Sequence, residues 1–316
     1  MTPFFSVVIP VYNRAAELRT ALLSVLTQTE KDFEVIIVDD GSLDDPKSAI
    51  GEIGDARISV LARENRGGPA ARNAGIDAAR GRFVAFLDSD DKFLPGHLAA
   101  MRLLLAGTKD VAGYAPIVVD RGKGRRFLKP PRALAPGEHI ASYVLCERGF
   151  VPTITLVVER EWARRVRYDE QLSFAQDTDF CIRLFLGGCR FVMAKAPGAV
   201  WNDLGDSCRI SAGRKGARMI EWLERIKPDI PHRAYHGARG WMVAKGVAQS
   251  HPFLAWKLWF AATRRGCYRP RLAVVVLLQI FVPDRMYRKL ADFLIGACRG
   301  NMWSRSDRFS QHRPAL

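Results

Sequence analysis

The sequence predicts an α/β fold: a mostly parallel open sheet with helices on both faces, followed by a C-terminal helical extension. Three observations lead there. The first 90 residues alternate short apolar runs with helical patterns, those runs are apolar throughout, and three of them lead into a polar cluster. Strands buried on both faces read as continuous apolar runs, and strands separated by helices pair in parallel.

The elements follow in order. Residues 4–9 (FFSVVI) are rich in strand formers and stopped by Pro10, which predicts a buried strand. Residues 17–28 place Leu18, Ala21, Leu22, Val25 and Leu26 at helical spacing. Residues 33–38 form a second strand, closed by Asp39-Asp40-Gly41-Ser42, and residues 57–61 a third. Residues 69–79 read as a helix with Pro69 in its first turn, where the missing N–H matters least. Residues 83–87 form a fourth strand that ends in Asp88-Ser89-Asp90-Asp91. Beyond it the pattern predicts a helix at 95–106, a strand at 111–119 and a basic turn region at 122–129. A helix at 137–145, a strand at 154–158, a helix at 177–186, a strand at 190–194 and a helix at 210–226 follow. The run Lys227-Pro228-Asp229-Ile230-Pro231 reads as a boundary. The expected organisation is therefore a catalytic domain over 1–230, with halves at 1–95 and 96–230. A basic helical extension covers 231–300 and a flexible tail 301–316.

Charge separates the same regions. The net charge is +15, and residues 201–316 hold 21 Lys/Arg against 8 Asp/Glu, leaving 27 against 25 for residues 1–200. A balanced first part with a basic appendage points to an anionic partner: phospholipid headgroups, a phosphorylated lipid or nucleic acid. The plainer reading is a solvated basic surface. Residues 283–299 place Met286, Leu290, Phe293, Leu294 and Ala297 on one helical face and Arg285, Arg288, Lys289 and Asp292 on the other. Such a helix either lies in a membrane interface or packs its apolar face on the domain beside it. The longest apolar stretch, residues 272–282, is interrupted by Gln279 and reaches about half of the roughly 20 residues a spanning helix needs. No transmembrane helix is expected, and residues 1–10 carry no basic leader. The six cysteines form no C-x-x-C pair, so neither zinc nor thiol redox chemistry is indicated, and they suit a reducing cytoplasm. The six histidines show no ligand spacing and read as surface or satisfied residues.

Three polar clusters carry the chemistry. In an open parallel sheet, ligands bind outside the carboxyl ends of the strands. Those ends bear Tyr12-Asn13, Asp39-Asp40 and Asp88-Ser89-Asp90. In an extended segment Asp88 and Asp90 point to the same side. Two adjacent carboxylates favour a cation between them, and a hard divalent ion, Mn²⁺ or Mg²⁺, commonly bridges carboxylate to phosphate oxygen. Asp39-Asp40-Gly41-Ser42 is either a tight turn or a carboxylate that accepts from a nucleobase N–H. In Glu64-Asn65-Arg66-Gly67-Gly68-Pro69, the paired glycines admit close backbone approach. The following helix offers free N–H groups to an anion, with Arg72 one turn in. There is no Walker A pattern and no G-x-G-x-x-G, so a kinase or dinucleotide-binding reading is poor.

The segments VVIPVYNR, VIIVDDGS, ENRGGPAARNAG and FVAFLDSDD, in this order and spacing, resemble the inverting glycosyltransferases of family 2. The resemblance is close over about residues 4–95 and looser to about residue 212. It implies a GT-A type fold that binds a nucleotide-diphospho-sugar, UDP-linked by preference. It also implies that Asp40, with Asp39 beside it, contacts uracil and that Pro10, Val11 and Tyr12 line the base pocket. Arg72 would lie near the nucleotide, Asp88 would face ribose or metal, and Asp90 would be the principal metal ligand. A general base opens a helix downstream in such enzymes, and Gln176-Asp177 fits, with Asp177 as the base. Asp177 also suits a helix N-terminus, where its charge complements the dipole. One departure stands out: many relatives carry a His in the stretch that here reads Trp201-Asn202-Asp203-Leu204-Gly205-Asp206-Ser207-Cys208-Arg209. Asp203 or Asp206 would then be the third metal ligand, or Arg209 would bind the diphosphate.

The expected reaction is metal-dependent sugar transfer to a hydroxyl of a glycan or polyprenyl-linked saccharide, in bacterial surface polysaccharide synthesis. The enzyme would be cytoplasmic and peripheral at the inner face of the plasma membrane, on an anionic surface, with no nucleic acid as partner. Two rival classes are a nucleotidyltransferase and a non-catalytic basic lipid- or nucleic-acid-binding protein. The first wants a Gly-rich loop after the first strand, where this chain has Pro10-Val11-Tyr12-Asn13-Arg14. The second leaves the ordered carboxylates without a purpose.

Overall fold

The structure is a computed structural model and describes residues 2–203 and 216–297. Its strands, in chain order, are β1 (Phe5–Val11), β2 (Phe33–Asp39), β3 (Ile58–Ala62), β4 (Phe83–Phe86), β5 (Lys92–Phe93), β6 (Val111–Tyr114), β7 (Ile117–Asp120), β8 (Arg126–Lys129), β9 (Val157–Glu159), β10 (Arg190–Met193) and β11 (Ala199–Asn202). Seven of them form the central sheet in the order β10-β6-β9-β4-β1-β2-β3. β9 pairs antiparallel with β4 and β6, and every other pairing in that sheet is parallel. A smaller sheet, β5-β11-β7-β8, flanks it.

The alternation of side chains along each strand builds two apolar layers. Val8, Ile36, Val38, Val84 and Phe86 belong to one layer, with Ala71 and Ile76 of the Gly68–Ala78 helix and Phe180 and Leu184 of the Gln176–Leu186 helix. Val7, Ile9, Val35, Ile37 and Ala85 belong to the other, with Leu18, Leu22 and Val25 of the Ala15–Leu26 helix and Leu98 and Met101 of the His97–Leu105 helix. This is the both-faces-covered arrangement that continuous apolar strands require. Gly75 is fixed by it, since a Cβ there would lie 2.3 Å from a Val8 methyl group.

The first layer runs on into the C-terminal helices. Trp222, Tyr235, Ala262, Val276 and Ile280 are part of the same apolar cluster as Val8. The Trp222 indole donates to Asp179 at 2.8 Å, and a Cβ at Gly237 would meet the Cys146 sulfur at 2.3 Å. Between the His232–Ala238 and Ala244–Val247 helices, residues Arg239–Val243 form one turn of π-helix.

Several local expectations are corrected. The strand expected at 111–119 is two strands in two sheets. Pro116 lacks the N–H a continuing ladder needs, and the chain crosses there from β6 to β7. The basic turn region at 122–129 contains β8, which returns antiparallel on β7. The strand expected at 154–158 begins later, because Thr153–Thr155 forms a 3-10 turn. Pro10 does not stop the first strand. β1 pairs with β4 only from Phe5 to Val8, so Pro10 lies where that edge is already unpaired. His97 is neither a surface nor a satisfied residue. It is buried against the Phe93 ring, neither ring nitrogen has a hydrogen-bond partner, and burial pushes its pKa down to about 3.

The Asp284–Ala297 helix docks through its charged face. Asp292 accepts from Arg121 at 2.9 Å and Arg125 at 3.2 Å, and Arg288 pairs with Asp203 at 3.3 Å. The apolar face is left outward: Met286 is 61% and Phe293 71% exposed. No helix among the described residues is long and apolar enough to cross a membrane.

Candidate active site

Parallel pairing in register brings the carboxyl ends of β1, β2 and β4 side by side, with Val11 opposite Asp39. The loop after β1 is tied to the loop after β2. The Asn13 N–H donates to Ser42 Oγ at 3.0 Å, and the Leu43 N–H donates to Asn13 Oδ1 at 2.8 Å. Tyr12 stands half exposed beside these contacts. The Asp39 carboxylate caps its own turn by accepting the Ser42 N–H at 2.9 Å. Asp40 is buried and accepts the backbone N–H groups of Arg66 at 3.1 Å and Gly67 at 2.7 Å, with Arg63 at 3.3 Å. Its charge therefore organises the 63–68 loop, where Gly67 takes a φ of 89° that favours glycine.

Arg72 is the hub. Its buried guanidinium donates to Asp88 at 2.6 Å and to Gln176 at 3.3 Å, and lies over the Tyr168 ring at 5.5 Å. Burial opposes its charge, but Asp88 and Asp177 nearby hold it protonated well above the ordinary range. Asp90 pairs with Arg14, and its backbone carbonyl accepts from the Asn202 side chain at 2.5 Å. The Asn202 N–H donates to Asp91 at 2.9 Å, so the end of β11 is stitched to the segment that carries the two carboxylates.

Asp177 is the second residue of the Gln176–Leu186 helix, near the positive end of its dipole. Burial raises its pKa above the usual carboxylate range, Arg72 pulls the other way, and Asp88 adds to the rise. Arg72 thus joins the segment after β4 to the start of the helix that bears Asp177. A cavity of about 250 Å³ opens at Asp177.

Asp88 and Asp90 fit a divalent cation by the chemistry of the donor set: two carboxylates, both about a third exposed, each now balanced by an arginine. Diphosphate oxygens and water would complete the ligand shell of such an ion. Among the described residues no three His, Cys, Asp or Glu side chains gather. Asp203, one of the two residues expected as third ligand, is buried and accepts from Arg121 at 2.9 Å, with Arg288 beside it. It fastens the Asp284–Ala297 helix and does not join Asp88 and Asp90. Asp206 and Arg209 lie outside the described residues.

The expected donor residues Pro10, Val11, Tyr12, Asp39, Asp40, Arg72 and Asp88 come to one edge of the sheet, together with Asp90. Arg14 and Asn202 carry no sequence signal of comparable strength. Arg14 sits inside the quoted VVIPVYNR segment, and its position just past the strand end was the available hint.

A family model described as glycosyl transferase family 2 matches residues 6–190. The amylovoran biosynthesis glycosyltransferase AmsB of Erwinia amylovora is 35% identical over 243 residues, 72% of this chain and 79% of that one. The GalNAc(5)-diNAcBac-PP-undecaprenol beta-1,3-glucosyltransferase of Campylobacter jejuni is 40% identical over 313 residues, 94% of this chain and 99% of that one. Among solved structures, S. aureus TarS 1-349 in complex with UDP-GlcNAc superposes with a TM-score of 0.61 at 16% identity, covering 95% of this chain and 93% of that one. The mannosyltransferase PcManGT from Pyrobaculum calidifontis, in complex with GDP-Man and Mn²⁺, gives 0.59 at 19% identity, covering 96% and 88%. At these identities the structural likeness speaks for the fold alone.

Proposed function

Since the chain belongs to glycosyl transferase family 2, we propose that it transfers a sugar from a UDP-sugar to a hydroxyl of a glycan or lipid-linked saccharide, inverting the anomeric carbon. The observation that carries this reading is Asp177. It stands at a helix N-terminus on a cavity, with its pKa raised, and Arg72 joins its helix to Asp88 of the donor edge.

In this mechanism the acceptor hydroxyl lies against Asp177, which removes its proton as the oxygen attacks the anomeric carbon. The bond from that carbon to the diphosphate oxygen breaks on the opposite face, and the nucleoside diphosphate leaves with the bonding pair. A carboxylate must be ionised to accept a proton, and a raised pKa makes it a stronger base. Arg72 orients Asp88, Asp40 rigidifies the loop against which the base of the nucleotide lies, and the turns after β1 and β2 complete that pocket. A divalent cation held by Asp88 and Asp90, Mn²⁺ or Mg²⁺, would supply compensation for the charge that develops on the diphosphate.

The relatives named for amylovoran biosynthesis and for an undecaprenol-linked acceptor support a place in polysaccharide synthesis. The apolar face that the Asp284–Ala297 helix turns outward, on a basic C-terminal part, supports peripheral binding to the inner face of the plasma membrane. Flotation with vesicles containing anionic lipid is expected, and Leu290→Glu with Phe293→Glu should abolish it. Equal flotation of that double variant would reject the membrane role.

A donor screen tests the activity. Purified protein is incubated with Mn²⁺ or Mg²⁺, a panel of UDP-, GDP- and TDP-sugars and a membrane lipid extract, and released nucleoside diphosphate is measured. Release from one donor, abolished by EDTA and by Asp90→Ala, is expected. No release from any donor, together with no nucleotide binding by calorimetry, would overturn the reading.

A further inference from the structure

None of Asp40, Arg72, Asp88 or Asp90 lines the cavity at Asp177; Arg72, through Gln176 and Asp88, is the link between that residue's helix and the donor edge. Besides the helix of Asp177, its walls come from four separate parts of the chain. Lys129 ends β8, Arg148 and Phe150 belong to the loop after the Ile140–Cys146 helix, and Trp241 and Met242 project from the π-helical turn Arg239–Val243. Gln279, from the Pro270–Phe281 helix, completes the lining and donates to the Tyr287 hydroxyl at 3.0 Å.

Two of these side chains are cations. Among the described residues neither Lys129 nor Arg148 has a carboxylate within ion-pair distance. The Lys129 ammonium instead rests 4.2 Å from the centre of the Phe150 ring and 5.4 Å from that of Trp201, and these two rings stack 6.2 Å apart. Burial pushes the Lys129 pKa down to about 8, and Arg148 adds to that, with Asp203 opposing. A half-buried ammonium resting on ring faces and without an ion-pair partner gains from an anion more than a solvated one does. Flat aromatic surfaces next to it suit the apolar face of a pyranose.

We propose that this cavity is the acceptor subsite and that it takes a saccharide bearing an anionic group, carboxylate or phosphate, bound by Lys129 and Arg148 with its ring against Phe150 and Trp241. The inference rests on Asp177 as the base. It adds the substrate class and assigns part of the acceptor site to the C-terminal helices.

The test is binding, read without turnover. The full-length chain, saturated with UDP, is titrated at pH 7 with cellobiose, its terminal uronate cellobiouronic acid, and cellobiose 6-phosphate, by calorimetry and ligand-observed NMR. At least one acidic probe should bind tenfold or more tightly than cellobiose, and which one does so identifies the anion as carboxylate or phosphate. The preference should fade above about pH 8, where Lys129 loses its proton. Lys129→Met should abolish it and Lys129→Arg retain it, with UDP affinity unchanged in both. Arg148→Ala, at an exposed position, should reduce it if Lys129→Met fails to fold. Trp241→Ala should weaken all three probes alike. Equal binding of the three probes, binding of none, or a preference that survives both Lys129→Met and Arg148→Ala would overturn the proposal. Absence of donor cleavage in the screen above, with the acidic preference intact, would reject the transfer chemistry and leave the subsite standing.

Discussion

At the donor edge, charges are paired. Asp40 is held by Arg63 and two backbone N–H groups, Asp88 by Arg72 and Asp90 by Arg14. In the cavity at Asp177, Lys129 and Arg148 stand without a carboxylate partner among the described residues, and the Lys129 ammonium rests on the rings of Phe150 and Trp201. The first region comes from strand ends that the parallel sheet sets side by side. The second is assembled from a hairpin, a loop and two separate C-terminal helical segments that share no sequence neighbourhood. Paired charges make a preorganised surface for a ligand common to many enzymes, whereas unpaired ones leave an open preference for a ligand that differs between enzymes. The boundary is a single carboxylate, and experiments at that boundary can test whether the two regions act separately.

The largest effect is expected at Asp177 itself. Asp177→Asn should lower kcat about 10³-fold, in the range that general-base catalysis supplies, while donor affinity by calorimetry stays within about threefold. A comparable loss of donor binding would show that the two regions are not separable. Next comes Arg72→Lys, which cannot hold Asp88 and Gln176 together. Losing a hydrogen bond to a charged group, about 1.5–3 kcal/mol, predicts a 10- to 100-fold fall in kcat/KM for the donor. An effect confined to the acceptor KM would move Arg72 to the other side of the boundary.

The acid limb of the pH profile sharpens the comparison further. Because the folded pKa of Asp177 is raised, kcat/KM should fall as pH drops through a value above the ordinary carboxylate range, and Asp177→Asn should remove that limb. The sign for stability is opposite. A raised pKa means that the folded state binds the proton more tightly than the unfolded chain. The penalty for ionising Asp177 is therefore complete at neutral pH and disappears below the unfolded value, so Asp177→Asn should raise Tm at pH 7. An unchanged or lowered Tm would mean that the fold does not penalise the ionised form, because the attraction to Arg72 offsets the burial.

The smallest effect belongs to the docking of the last described helix. Asp292→Asn should cost about 1 kcal/mol, the scale of a partly exposed ion-pair network, seen as a drop of a few degrees in Tm. Donor release should be unchanged.

That the polar residues after β1, β2 and β4 gather at one sheet edge was legible, because each run is contiguous: VVIPVYNR, VIIVDDGS and FVAFLDSDD each carry strand, turn and charge in one short stretch. Their role toward a donor is the function we propose. The alternation of apolar runs and helices sufficed for the parallel sheet. The illegible parts depend on contacts distant in sequence. The amphipathic pattern of residues 284–297 tells that two faces differ but not which one docks, and Arg121, Arg125 and Asp203 decided in favour of the charged face. The burial of His97 required knowing that Gly198 would pass close to its ring. The division at Pro116 obeyed a rule visible in the sequence, but the length of the apolar run concealed it. Lys129 read as one more basic turn residue until Phe150 and Trp201 were brought to it.

The wider turn at Arg239–Val243 bears on how such enzymes diversify. A π-helical turn holds one residue more than the α-helical ladder around it. Removing that residue would restore the regular ladder and leave the flanking segments close to their present phase, because the wide turn already absorbs the extra ~100°. What changes is the facing of the turn itself, which carries Trp241 and Met242 on the cavity wall. Descendants of this chain could then change which acceptor they glycosylate through a single-codon deletion, with every residue of the donor edge inherited intact.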